Sequence, residues 1–369
     1  MIKILVINTV RFKLNGISAV IKNYYLAMNK KDLKMEFIAI DEPSSEYNAF
    51  FKENNLVCHV INKRNMLNYI LQIIKICRKE KYDVVHVHGN SANMAVELLA
   101  CMIGGVKVRI AHSHNTSTLH PLTHKLLWPL FSQLCTVRLA CGEDAGRWLF
   151  RDLPFVVLKN GIDVKRYKFD EEIRKKYRKK VGVESDEFLL GHVGNFIEQK
   201  NHNFLIEIFS ELHKVNSKIK SLLVSDGMLM PIIQEKVRLL KLDNSVVFLG
   251  KTMEVEKYFQ AMDVFVLRSL LEGLPLVLVE AQSSGLVCVV SDTVSKEADL
   301  TGTSVFLSLN SLDSWKNELR ELSSTTFDRK SVSAENLKKI RNAGYDIVQN
   351  ADKLRQIYVN SCGGKINDV

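Results

Sequence analysis

Short apolar, β-branched runs alternate with helical patterns along nearly the whole chain, in two successive series. Runs of this kind are strands buried on both faces, and their alternation with helices over short connections builds a covered parallel sheet. The first series reads KILVINTV (3–10), MEFIAI (35–40), LVCHVI (56–61), VVHVHG (84–89), VRIAHS (108–113), VRLACG (137–142) and FVVLKN (155–160). The second reads LLGHVGN (189–195), SLLVSDG (221–227), VVFLG (246–250), VFVLRS (264–269) and VCVVSD (287–292). A chain of 369 residues is too long for one ordinary core, so two α/β domains are expected. LKNGIDVKRY (158–167) leaves the first series through an Asn-Gly turn, and the tail YDIVQNADKLRQIYVNS (345–361) reads as one helix returning to the first domain. The expected domains are therefore 1–165 with 345–369, and 166–344.

Ligands of open α/β sheets bind at the carboxyl ends of the strands, so the residues that follow the strands are the candidates for chemistry. The most informative stretch is RSLLEGLPLVLVEAQSSG (268–285). Gly273 and Pro275 break the strand and open a helix, with Pro275 at its first position. The amides of Leu276 and Val277 then lack helical partners and suit an anion. Glu280, one turn on, cannot meet that anion and is suited to accept hydrogen bonds from neutral hydroxyls such as a ribose diol. The plainer reading makes Glu280 a solvent-facing residue and Glu272 a helix-start charge favoured by the macrodipole. Lys200, near a helix start after Val193-Gly194, is either a point charge for a phosphate or an ordinary surface lysine. The loop around it carries neither a Walker A nor a GxGxxG pattern.

In the first domain, Asn15-Gly16-Ile17-Ser18 follows the first strand, Gly16 letting a ligand approach and Ser18 capping the next helix. Two strands end in spaced histidines, His86 with His88 and His112 with His114, and each pair shares one strand face. They either orient a polar substrate or are satisfied strand-end side chains; zinc has no accompanying acidic ligand at a recognisable spacing. Leu126, Leu127, Leu130, Phe131 and Leu134 form a helical stripe that packs in the core or docks on a membrane.

A net charge of +10, with the cluster IRKKYRKK (173–180), fits an anionic membrane surface or a solvated helix face. No recognition-helix, RNP or zinc-finger pattern supports nucleic acid. The seven cysteines lack CxxC spacing and read as buried thiols. With no membrane-spanning run and no signal-peptide pattern at the start, a cytoplasmic location is expected.

Together, Glu272 and Glu280 eight positions apart, Lys200 after Val193-Gly194, the strand-end histidines and Asn160-Gly161-Ile162-Asp163 resemble the retaining glycosyltransferases of family 4. NGISAVIKNYY (15–25), DVVHVHGN (83–90), RIAHSHNT (109–116) and EQKNHNFLIEIF (198–209) look like the bacterial capsule and exopolysaccharide enzymes of that family. The resemblance implies the GT-B fold, two Rossmann-like domains facing each other across a cleft, the first on the acceptor side. It implies transfer of a hexose from a nucleotide diphosphate sugar, with a UDP-linked donor expected, to a lipid-linked saccharide, without metal or cofactor. Glu280 would hold the ribose, Lys200 and the amides of Leu276 and Val277 the diphosphate, and Gly16 would approach it. Glu272 and His114 would lie beside the donor sugar, and His88 is a further substrate contact. Relatives often carry Arg where this chain has Asn195, and Arg268 is expected to compensate at the phosphate, so that Arg268→Ala would raise the donor KM. A sugar-nucleotide epimerase or phosphorylase on the same fold, and an inactive partner subunit, are the competing readings.

Overall fold

The structure, a computed structural model, describes residues 1–272 and 274–363. Gly273, read above as a break after the strand, lies outside the described residues. The chain divides into two compact units, 1–161 with 347–369, and 162–346.

The first unit carries the strands β1 (Ile2–Asn8), β2 (Leu33–Ala39), β3 (Cys58–Val60), β4 (Val84–Gly89), β5 (Val108–Ser113), β6 (Val137–Ala140) and β7 (Val156–Val157). Its helices are α1 (Gly16–Ala27), α2 (Ser45–Glu53), α3 (Met66–Glu80), α4 (Ala95–Ile103), α5 (Pro121–Leu134) and α6 (Glu143–Phe150). The strands pair in the order β3-β2-β1-β4-β5-β6-β7, every pairing parallel. The order reverses between β1 and β4, which opens a crevice at the carboxyl ends of those two strands.

The second unit carries α7 (Glu171–Lys180), β8 (Phe188–Val193), α8 (His202–Val215), β9 (Ile219–Val224), α9 (Met230–Leu239), β10 (Val246–Gly250) and α10 (Val255–Ala261). It continues with β11 (Val264–Leu267), α11 (Leu276–Ser283), β12 (Val287–Ser291), β13 (Ser304–Leu307), α12 (Leu312–Ser323) and α13 (Arg329–Asn342). The parallel order is β10-β9-β8-β11-β12-β13, with the reversal between β8 and β11. Both faces of this sheet are buried. Along β11, Val264 and Val266 enter one core while Phe265 and Leu267 enter the other, as the twofold period of a strand requires. That double burial is why these strands read as continuous apolar runs rather than alternating ones.

The final helix, α14 (Ile347–Ser361), belongs to the first unit. Asn350 Nδ2 donates to Lys159 O at 2.9 Å and the Tyr358 hydroxyl meets His86 Nδ1 at 2.7 Å, so the tail is tied into the sheet that begins the chain.

Two local expectations need correction. Asn15, not Ser18, caps α1: its Oδ1 accepts from Ser18 N at 3.0 Å, while the Ser18 hydroxyl is buried against Asn8 Nδ2 at 3.1 Å. Asn is the better cap because its side-chain carbonyl reaches the third amide without occupying the helix itself. Pro275 is the cap rather than the first residue of α11, with φ −72° and ψ 119°, which makes Leu276 and Val277 its first two residues. Among the cysteines, Cys362 is exposed and the others are buried or partly so.

Candidate active site

The second unit gathers its candidates at the reversal between β8 and β11. The loop leaving β8 brings Lys200 back towards the sheet through a short 3-10 turn, Glu198–Lys200. The loop leaving β11 carries Ser269 and Glu272. These meet: Lys200 Nζ forms an ion pair with Glu272 Oε1, which also accepts from the Ser269 hydroxyl. The two charged side chains keep only 14% and 12% of their surface exposed, so the pair is screened far less than a surface one. Gly194 lies close beside it: a Cβ there would stand 3.3 Å from Lys200 Cδ and Cε and 3.0 Å from His192 Nε2, so those side chains would have to shift by a few tenths of an ångström.

Glu272 is fixed through its backbone as well. It bridges Val294, and its carbonyl accepts from Ser295 N at 3.1 Å. The helix that follows presents the amides of Leu276 and Val277 at its first turn, where no intrahelical acceptor exists. A lysine and the first-turn amides of a helix are groups of the kind that suit a polyanion.

Glu280 sits one turn into α11, partly buried. Burial pushes its carboxyl up to about 7, and repulsion from Glu256 adds to this; a hydrogen bond with the Tyr167 hydroxyl and the Arg166 charge pull the other way. Arg166 itself is held by Glu256 at 3.0 Å. Tyr167 is the residue that sequence reasoning missed. It stands in the quoted run LKNGIDVKRY, but nothing in that run signals contact with a helix more than a hundred positions away.

Asn195 is exposed, and its Oδ1 accepts from the Ser225 hydroxyl at 2.7 Å. Arg268 is a correction. It is fully buried, with Nη2 donating to Asn201 O at 2.6 Å and the guanidinium lying over the Phe204 ring at 5.2 Å. Burial depresses its pKa to about 9. A residue with no exposed surface is not placed to compensate for Asn195, because α8 covers it. Arg268→Ala is therefore expected to lower the melting temperature while leaving the donor KM within about twofold; thermal unfolding and steady-state kinetics on the same preparation check this.

In the first unit the histidines converge. His88 Nδ1 lies 2.9 Å from His114 Nε2, and His86 Nε2 lies 3.3 Å from His112 Nδ1. Burial lowers the pKa of all four, to about 3 for His86 and His114, so at neutral pH they are uncharged rings. Nitrogens of His86, His88 and His112 lie within 4.8 Å of one another, close enough to share a metal ion, though two of these rings already bond to each other. His114 is partly exposed at the sheet edge, with its buried Nδ1 unpartnered among the described residues. His88 is 3% exposed, which corrects its reading as a substrate contact: it lies behind His114 and bonds to it.

Gly16 is the first residue of α1, and a Cβ on it would meet nothing within 4 Å. The fold does not require glycine there. The stripe on α5 splits into two: Phe131 and Leu134 are buried, while Leu126 and Leu130 are 79% and 39% exposed; outside the stripe, Leu119 just before the helix and Leu122 in its first turn are exposed as well. The basic cluster on α7 is partly structural, because Arg174 and Arg178 are anchored to Asp263 at 2.5 and 2.9 Å.

Comparison with known proteins agrees with this layout. The Glycosyltransferase Family 4 model matches residues 14–166 and the Glycosyl transferases group 1 model matches residues 187–324. The chain is 30% identical over 360 residues to EpsF of Bacillus subtilis (strain 168), provisionally named a glycosyltransferase, with 93% of each chain covered. It is 30% identical over 335 residues to the Escherichia coli UDP-Gal:alpha-D-GlcNAc-diphosphoundecaprenol alpha-1,3-galactosyltransferase, covering 85% of this chain and 84% of that one. Among solved structures, Anabaena HepE in complex with UDP-glucose superposes with a TM-score of 0.78 at 17% identity, covering 97% of this chain and 99% of that chain. WaaG, a glycosyltransferase involved in lipopolysaccharide biosynthesis, gives 0.69 at 14% identity over 97% and 99%. With relatives at this identity across nearly its whole length, and with the GT-B fold, the chain belongs to the family 4 glycosyltransferases.

Proposed function

We propose that this glycosyltransferase moves a hexose, with retention and without a metal, from a UDP-linked sugar to a lipid-linked saccharide during assembly of a bacterial surface polysaccharide. The observation that carries the reading is the Lys200–Glu272 pair at the reversal of the second sheet, with Glu272 four residues ahead of the first-turn amides that begin at Leu276 and Val277. When the sugar–phosphate bond breaks, negative charge grows on the diphosphate. A lysine and oriented amides stabilise that charge in place, which is the work a metal would otherwise do. Glu280 accepts from the ribose hydroxyls. Asn195, whose oxygen is engaged by Ser225, keeps its amide donors for a phosphate. Gly16 leaves clearance for the same group.

Retention places the incoming hydroxyl on the face the diphosphate leaves, with a phosphate oxygen taking the proton. Glu272 and the neutral ring of His114 are assigned to the donor sugar, where positive charge develops. The names of two similar proteins, a galactosyltransferase with UDP-Gal and a diphosphoundecaprenol-linked acceptor and a structure holding UDP-glucose, support the choice of donor and acceptor class. No helix among the described residues is long and apolar enough to cross a membrane. We place the enzyme on the cytoplasmic face of the membrane, held by the exposed Leu119, Leu122 and Leu126 and by surface lysines attracted to anionic lipid.

His88 then acts through His114. His88→Asn is expected to lower kcat about tenfold, as loss of a supporting hydrogen bond does elsewhere, with the donor KM unchanged. A matching rise in KM would mean that the change disturbs binding instead.

Ligand-induced thermal stabilisation tests the reading as a whole, comparing UDP, GDP, ADP and their sugar conjugates on wild type and Glu280→Ala. A UDP-selective shift that is lost in the variant is the expected result. No shift with any nucleotide would favour the inactive-partner reading.

A further inference from the structure

Tyr167 lies in the segment that precedes α7, and its phenol is turned inward: the residue is 7% exposed and its ring packs on Phe259 with centroids 6.1 Å apart. Gln260 of α10, wholly buried, clamps this segment twice. Its Nε2 donates to Tyr167 O at 3.3 Å and its Oε1 accepts from Asp170 N at 3.1 Å. Phe169 N, between them, donates to the Ser333 hydroxyl at 3.0 Å. A buried phenol in so fixed a place needs a partner for its O–H, and that partner is the Glu280 carboxyl on α11.

We infer that Tyr167 is a positioning residue for the donor: its hydroxyl anchors the Glu280 carboxylate and leaves the remaining acceptor sites of that carboxylate for the ribose. The inference rests on the proposed function, in which Glu280 meets the ribose, and goes beyond it by assigning the residue that presents Glu280. A carboxylate has about four acceptor sites, so one phenol and a diol can share it. An anchored side chain also has less rotamer freedom left to lose when the donor arrives.

The surroundings of Glu280 single out this contact. Arg166 attracts the carboxylate and Glu256 of α10 repels it, and these two are paired with each other at 3.0 Å, so their effects offset. On the other side of α11, α13 brings the neutral Ser333 and Asn336, bonded to Ser283 O and Gln282 O. The strand β12 brings only the Cys288 thiol, which burial keeps protonated. Of the influences that favour the ionised form of Glu280, the Tyr167 hydrogen bond is larger than the Arg166 charge. Burial also holds the phenol well above its ordinary pKa, so Tyr167 remains a donor throughout the range in which Glu280 titrates. A donor to the ionised form favours that form.

Calorimetric titration of the full chain with UDP tests this, on wild type, Tyr167→Phe, Glu280→Gln and the double variant, over roughly pH 5.5–9.5, a range that brackets a group near 7. Phenylalanine keeps the ring packing and removes only the hydroxyl. In Tyr167→Phe the rise of UDP affinity with pH should move up by about one unit, the order expected for a hydrogen bond to a charged group. Affinity should then be about fivefold below wild type at pH 7 and return to it above about pH 9. A purely structural role would lower affinity by one factor at every pH. In the Glu280→Gln background, Tyr167→Phe should leave the pH dependence unchanged. An unmoved or lowered midpoint in Tyr167→Phe, while Glu280→Gln does flatten the profile, would overturn the inference and leave the proposed function standing. If Glu280→Gln keeps the wild-type slope, the assignment of Glu280 to the ribose fails and the inference falls with it.

Discussion

Lys200→Met should lower kcat/KM for the donor by about 10²–10³, the cost of removing one oriented group that stabilises transition-state charge. The ion pair makes the prediction more specific than a simple loss. In the free enzyme Lys200 is bound to Glu272, so the diphosphate must compete with a carboxylate for the ammonium. Glu272→Gln removes that competitor. It should bind UDP more tightly than wild type while turning over far more slowly, because the carboxylate assigned to the developing positive charge on the sugar is gone. The two single variants thus shift UDP affinity in opposite directions. Their double mutant should depart from additivity, as residues in direct contact do. Each single change also leaves a mostly buried charge without its partner and should lower thermal stability, so affinity is to be measured by calorimetry well below the melting temperature. Retention of activity within about threefold in Lys200→Met would remove Lys200 from the transition state.

What was legible in the sequence follows from what burial does to composition. Strands covered on both faces are mostly apolar, and β11 and β12 announced themselves as short apolar runs, β4 and β5 as apolar runs interrupted by the histidines of the site. The strand β13 did not, because Ser304–Leu307 is a four-residue edge that is only partly buried. Nor did α13, where Ser333 and Asn336 share the buried face with Leu337 and Ile340 and hold the neighbouring backbone by hydrogen bonds. Polar residues that are buried and satisfied leave no apolar stripe to read. In the site, spacing along one helix was visible, hence Leu276, Val277 and Glu280. Pairings across the chain were not: Lys200 with Glu272 and Tyr167 with Glu280 depend on which strands become neighbours. Arg268 shows the same limit from the other side. A charged residue at a strand end suggests a ligand, and only the packing of α8 over it shows that its guanidinium is covered.

Glu280 gives the second large effect, read through pH. Burial pushes the carboxyl up to about 7, so that the neutral acid and the carboxylate are both populated around neutrality in the free enzyme. The sign follows from the direction of the shift. A folded-state pKa above the ordinary carboxylate value means that the fold favours the neutral acid, so this contribution to stability is complete below about pH 4.5 and is lost as pH rises through 7. Binding a ribose diol reverses the preference, since hydroxyls donate more strongly to a carboxylate than to the neutral acid, whose own proton also takes up one oxygen. UDP affinity should therefore rise about tenfold from pH 6 to pH 8, as the ionised fraction of a group near pKa 7 does, with a proton released on binding near neutrality. The terminal phosphate of UDP also titrates near pH 6, and Glu280→Gln separates the two: the variant keeps the phosphate contribution and loses the steeper part. Its affinity at pH 8 should be well below that of wild type, while at pH 6 the two should converge, because wild type is then mostly a neutral acid of the same shape as the amide. Calorimetry in two buffers of different ionisation enthalpy measures the released proton directly. Equal pH slopes in wild type and Glu280→Gln would show that this carboxyl does not meet the ribose, and α11 would then contribute to donor binding only through its first amides.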